Sequence, residues 1–226
     1  MKFIDIYNKI QKFLTGERAF FCCVIIILII LSYLTHDNKI ALISALFGIG
    51  YTIFNGKGNI FCYFFGIVST LLYSYLSFQN GLFGNFSLNM FYYLPVQIIG
   101  LINWKKHLIT PLTVKKTKLN NSQKKIYYSI TLVITAILTI SIIILKLSFL
   151  NFLDCLTLIL SIIAMILAVK RCFEQWYYWI SVNFLSMIMW ILAYYNGSNC
   201  LLTIIMWGIY LILGIYFLKK WQKENL

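Results

Sequence analysis

Two sets of side chains in this sequence have the types and spacing to hold a small polar molecule. Between Glu174 and Trp190, the residues Trp176, Trp179, Asn183, Ser186 and Trp190 recur at alternating intervals of three and four. On a 3.6-residue helix that spacing puts all five on one stripe. An amide in the middle of an apolar segment needs a partner, which a neighbouring helix or a ligand can supply. The rings flanking Asn183 on its own stripe favour the ligand. Trp176 lies near the segment's end, where an interfacial aromatic belt is the ordinary explanation, and Trp179 falls between the two cases. The second set is Asn89, Tyr93 and Gln97, spaced by four, with Pro95 among them. Proline removes a backbone donor and kinks a helix, so Pro95 is open to two readings, a substrate-facing hinge or a tolerated packing kink. Ser69, Thr70 and Tyr73 stand at similar depth in a third segment, although hydroxyls in apolar helices commonly bond back to their own carbonyls.

No Asp, Glu, Lys, Arg or His lies between Ile60 and Trp104, or between Gln175 and Leu218. Catalysis would want a nucleophile–base or acid–base set at the same depth as these side chains. Coupling to protons or sodium usually places ionisable groups inside the membrane. The six cysteines show no metal-ligand spacing and read as small hydrophobes. The expectation is therefore a binding or transport protein with no cofactor, no metal and no enzymatic centre.

The elements that must position these residues are eight apolar segments, at roughly 19–34, 40–54, 60–77, 86–104, 126–146, 154–169, 175–194 and 200–218. Hydrophobic residues make up 61% of the chain and charged residues 11%, a balance that no soluble surface of this length tolerates. Each segment is close to the length that spans about 30 Å of hydrocarbon, allowing for tilt. All 19 basic residues lie in the gaps, and the gaps alternate: 17 flank the odd-numbered positions, while only Lys39 and Lys146 flank the even ones. Basic residues near span ends are retained in the cytoplasm. The pattern predicts eight transmembrane helices with both termini cytoplasmic. The net charge of +13 is spread over loops, which points to topology and anionic lipid rather than nucleic acid. No small-residue cleavage pattern follows the first segment, so it reads as a retained helix rather than a signal peptide.

An internal repeat organises the remainder. Segments two to four and six to eight match in length and punctuation. Each central segment ends in an uncharged Asn-Gly turn, Asn80-Gly81 or Asn196-Gly197, and each third segment ends in a Lys pair, Lys105-Lys106 or Lys219-Lys220. Three crossings would invert the second copy, and the fifth segment restores its orientation. The resulting fold class is an all-α membrane protein with two parallel three-helix repeats and a linker helix. This is the 3+1+3 plan of the sugar-efflux (SWEET) proteins plus an extra N-terminal helix. The division is residues 1–37 for the N-terminus and first helix, 38–106 for the first repeat, 107–151 for the cytoplasmic loop and linker helix, 152–221 for the second repeat and 222–226 for the tail. A non-transporting membrane scaffold is the contrasting reading, but a scaffold would not need two parallel halves with a mid-membrane amide in each.

Four stretches together resemble the PnuC-type vitamin transporters: NIFCYFFG at 59–66, LNMFYYLPVQ at 88–97, LSIIAMIL at 160–167 and EQWYYWISVN at 174–183. The resemblance covers roughly residues 40–220 and includes Asp154 at the opening of the sixth segment. It implies uptake of nicotinamide riboside across the bacterial inner membrane by facilitated diffusion, with a cytosolic kinase trapping the product; relatives take thiamine or riboflavin. It also implies binding roles for Trp179, Asn183, Asn89 and Gln97, with Tyr93, Ser69, Trp176 and Tyr73 as further candidates. A homo-oligomer, such as a trimer, is expected. Members of the family often carry Asn where this chain has Ser69, whose single hydroxyl offers less than an amide's two ends. Nicotinamide riboside and thiamine both bear a cationic ring, which Trp and Tyr faces attract by about 0.5–2 kcal/mol per contact. Thiamine, or another vitamin, is the alternative substrate; riboflavin is neutral and bulkier and ranks third.

Overall fold

The computed structural model describes residues 17–34, 39–79, 81, 83–146, 148–197 and 201–224. The basic residues before Arg18, and Asn80 and Cys200, lie outside them. Every expected apolar segment falls on a helix, although the helices at Asn121–Ile144 and Phe149–Val169 begin before the segments expected at 126–146 and 154–169. The helices are α1 (Glu17–Leu34), α2 (Lys39–Gly56), α3 (Cys62–Gln79), α4 (Phe83–Leu88), α5 (Leu94–Lys105), α6 (Asn121–Ile144), α7 (Phe149–Val169), α8 (Gln175–Tyr195) and α9 (Leu201–Lys223). A π-helical turn, Asn89–Tyr93, joins α4 to α5, so residues 83–105 form one rod with a break in its hydrogen-bond ladder. Among the described residues five helices, α2 and α6 to α9, are long and apolar enough to cross a membrane.

Local chemistry sets the ends. Asn120 and Gln123 form a reciprocal cap at the start of α6, each side chain accepting from the other's backbone N–H at 2.8 and 3.1 Å. Ser148 caps α7 in the simpler way. Gly81 and Gly197, just past α3 and α8, sit at φ +70° and +91°, the left-handed conformation that makes Asn-Gly a turn signal. Two further left-handed residues, Gly58 and Arg171, come after α2 and α7 at φ +65° and +60°. They stand 113 positions apart in sequence, at matching places in the two expected repeats.

Packing joins neighbouring helices into two groups and then ties the groups together. α2 packs on α3, and α3 on the rod 83–105; α7 packs on α8 and α8 on α9. α5 meets α7, and α9 meets α2 and α1. The ties at one end are reciprocal. Trp104, in the last turn of α5, donates its indole N–H to Ala168 O near the end of α7 at 3.0 Å. Trp221, near the end of α9, donates to Gly56 O at the end of α2 at 2.7 Å. Both indoles are fully buried, and each spends its N–H on a carbonyl in the last turns of a helix, Ala168 O also accepting from Arg171 N at 2.9 Å. Leu28, Ile49, Leu213, Phe217 and Trp221 centre one apolar core; Ala164, Leu167, Tyr178 and Val182 centre a second. The connection 106–120 folds under this end, pairing with residues 59 and 172 in short bridges. α6 packs on α7 and buries none of its own residues.

Candidate functional site

A belt of polar side chains runs round the middle of the helices, supplied by both groups. Gln97 on α5 is 5% exposed and donates Nε2 to Thr70 Oγ1 on α3 at 2.7 Å. Its Oε1 is buried with no partner among the described residues. Gly66, one turn before Thr70, makes this possible, because a Cβ there would run into Gln97 Oε1 and the Tyr51 ring. Tyr51 on α2 reaches across to α7, its hydroxyl 3.5 Å from Met165 Sδ. Tyr93 makes a parallel crossing, 2.7 Å from Ser161 Oγ on α7, beside Tyr92, which donates to Ile162 O at 3.1 Å. On the other group, Asn183 of α8 is 7% exposed and has no hydrogen-bond partner among the described residues. Its amide lies over Gly214 of α9. A largely buried amide with hydrogen-bonding capacity to spare gains from a ligand that pairs with it.

The Trp–Asn stripe of α8 faces inward. Trp176, Asn183 and Ser186 are buried, and Trp179 is half-buried between the two apolar cores. Trp176 differs from the interfacial belt residue its position suggested. It is 1% exposed, stacked on Phe217 at 5.4 Å and edge-on to Trp221 at 5.9 Å. The α9 rings cover it, so its place is in the core.

The second stripe is not kept. Asn89, Tyr93 and Gln97 would align on an α-helix, but the π turn between 89 and 93 widens the helix and rotates α5 relative to α4. Asn89 donates to Asn85 O at 2.8 Å, Tyr93 turns to α7 and Gln97 to α3. Pro95 sits at the start of α5, just past this turn. The backbone N–H of Leu94 bonds Asn89 O, a five-residue span that absorbs the register change around the proline. Tyr73 is exposed at 45%.

Ser69 and Thr70 depart from the expectation that hydroxyls bond their own helix. Ser69 Oγ donates to Ser44 O at 2.9 Å, and Ser44 Oγ returns a bond to Ser69 O at 3.1 Å, clamping α3 to α2. Thr70 accepts from Gln97. Elsewhere the expectation holds: Thr131, Thr139, Ser141 and Ser181 all bond the carbonyl four residues earlier. Sequence reasoning missed Tyr51, Ser161, Met165 and Tyr210, the last with its hydroxyl against Gly48. The only signal available was small residues, Gly48 and Gly66, opposite large polar ones.

At the end where Trp104 and Trp221 tie the groups, Asn55 Nδ2 donates to Gln175 Oε1 at 3.0 Å, and both residues are buried. Glu174, 1% exposed, accepts from Leu119 N at 3.0 Å and pairs with Lys124 at 3.3 Å. This carboxylate fastens the 106–120 connection to the start of α8.

Helices long enough to cross a membrane, surrounding a neutral polar belt with unused amide capacity, suit a membrane transporter. Comparison with known proteins places it further. The nicotinamide mononucleotide transporter family model matches residues 38–223, and the chain belongs to that family. It is 33% identical over 192 residues to the nicotinamide riboside transporter PnuC of Neisseria mucosa, covering 83% of this chain and 73% of that one. It is 28% identical over 219 residues to the protein of the same name from Haemophilus influenzae, covering 94% of each. The crystal structure of the vitamin B3 transporter PnuC superposes with a TM-score of 0.77 at 32% identity, over 92% of this chain and 90% of that one.

Proposed function

We propose that this protein imports nicotinamide riboside by facilitated diffusion, with cytosolic phosphorylation holding the product inside. Its two curated relatives carry that substrate in their names. The carrying observation is the pair of buried amides, Gln97 and Asn183, with unused hydrogen-bonding capacity in a belt without ionisable groups. A carboxamide and ribose hydroxyls supply the complementary donors and acceptors. Trp179 lies one helical turn from Asn183, positioned to cover a cationic ring. Pro95 and the adjoining π turn act as the hinge of the rod 83–105.

The surrounding architecture in this reading is eight crossings in a SWEET-like 3+1+3 arrangement behind an N-terminal helix. Both termini are cytoplasmic in the bacterial inner membrane. The matched left-handed residues Gly58 and Arg171, and the reciprocal Trp104 and Trp221 ties, support two parallel repeats. The subunit assembles with copies of itself. The deciding experiment is counterflow in liposomes: labelled nicotinamide riboside should exchange against internal unlabelled substrate with no proton or sodium gradient. An absolute requirement for either gradient refutes facilitated diffusion, and no exchange of any vitamin refutes the transport reading.

A further inference from the structure

Two open cavities of about 560 and 510 Å³ lie at the end of the bundle carrying Trp104 and Trp221, and Lys170 and Arg171 line both. The larger is also lined by Lys106 and His107, with Ile99 and Ile102 on its wall. Those two isoleucines are 58% and 52% exposed on the outer surface of α5. His107 directs Nδ1 at Asn103 O, 2.7 Å away, which makes Nδ1 the donor and leaves Nε2 for another partner. Lys170 donates to the Tyr127 hydroxyl at 3.0 Å, standing between the cavities.

Arg171 is the anomaly. It is 8% exposed, yet among the described residues its Nε and Nη1 have no hydrogen-bond partner and no carboxylate pairs with it. Burial pushes the guanidinium's pKa down, with partial compensation from Cys172 and Tyr63. Its backbone is left-handed at φ +60°, which costs arginine more than glycine, and the matching position in the first repeat is a glycine, Gly58. A strained, desolvated, unpaired arginine kept where a glycine would fit better indicates a function for the guanidinium.

We propose that Arg171, with Lys106, His107 and Lys170, forms a phosphate-binding site in the crevice between α5 and α7. A guanidinium fork and a lysine match phosphate oxygens. The apolar wall at Ile99 and Ile102 opens on the surface facing the bilayer, and an anionic phospholipid with its acyl chains on that wall fills it best. This site is separate from the substrate belt and would anchor α5, the helix that carries Gln97, against α7.

Native mass spectrometry of the purified full-length protein tests this, with phosphatidylglycerol and phosphatidylcholine as probes. Wild type should retain phosphatidylglycerol preferentially. Arg171→Gly, which relieves the left-handed strain and should keep or raise the melting temperature, should bind it roughly tenfold to a hundredfold more weakly. Lys219→Gln, an exposed charge at the end of α9, should change little. If lipid preference is absent but inorganic phosphate raises the melting temperature of wild type and not of Arg171→Gly, the site stands with a soluble phosphate as its occupant. If neither probe distinguishes wild type from Arg171→Gly, or if Lys219→Gln loses as much, the attraction is general surface charge and the site does not exist.

Discussion

Replacing Gln97 by methionine separates a ligand-binding amide from a structural one, because the two roles move stability and affinity in opposite directions. Methionine fills nearly the same volume, so the change is chemical rather than steric. Two terms enter stability. The 2.7 Å bond from Nε2 to Thr70 disappears, at a cost of about 0.5–1.5 kcal/mol. Thr70 is not left stranded, since its hydroxyl can turn to the carbonyl of its own helix one turn back. Against that, the buried Oε1 with no partner disappears too, and such a group costs about 1–3 kcal/mol while it is present. The sum lies between about 0.5 kcal/mol destabilising and about 2.5 kcal/mol stabilising. At about 2–4 °C per kcal/mol for a chain of this size, Gln97→Met should hold or raise the melting temperature by a few degrees. Binding should respond the other way. If the Gln97 acceptor pairs with substrate as proposed, its loss should weaken nicotinamide riboside about tenfold to a hundredfold. The assay is isothermal titration alongside thermal unfolding, on detergent-solubilised protein that elutes as a single peak. A fall in melting temperature of about 4 °C or more with affinity unchanged refutes the reasoning, and makes Gln97 a brace between α3 and α5.

Asn183→Leu should likewise weaken binding by about 1–3 kcal/mol in titration, whereas Trp179→Phe, which keeps an apolar ring, should cost within about 1 kcal/mol and Trp179→Ala far more. An Asn183→Leu protein with reduced expression and normal affinity would assign that amide to helix packing. A cysteine placed at Ser122, in the first turn of α6 beside seven lysines between 105 and 125, should resist membrane-impermeant thiol reagents in intact cells; labelling there would overturn the proposed topology.

How much could be read in the chain depended on the range of the interaction. The α8 stripe was legible because Trp176, Trp179, Asn183 and Ser186 are placed by one helix's own period, and all four lie inward as that period requires. The second stripe was misread at the π turn. Inserting one wide turn before Pro95 alters the azimuth of Asn89 relative to Gln97, and no local residue pattern distinguishes that from an ordinary kinked helix. Trp176 was misplaced for a similar reason. Its depth along α8 matched an interface, but Phe217 and Trp221 arrive from about forty residues further on and cover it.

By itself the sequence determined the helices, their ends and the near-absence of charge between them. Hydrocarbon leaves the backbone no partner but itself, so a long apolar run can only be helical, and Asn-Gly, Asn120 and Ser148 act within a few residues of where they stand. The tertiary structure alone decided which polar groups remained unused. Gln97 and Asn183 carry the same amide as Asn55 and Gln175, yet the latter pair meet in one bond across 120 positions, leaving Asn55 Oδ1 and Gln175 Nε2 bare, while Gln97 gives its nitrogen to Thr70 and Asn183 finds no partner among the described residues. Ser69 and Ser44 close on each other in the same way. A helix's period fixes the direction a side chain faces. What meets it there depends on a helix from elsewhere in the chain, and only packing brings the two together.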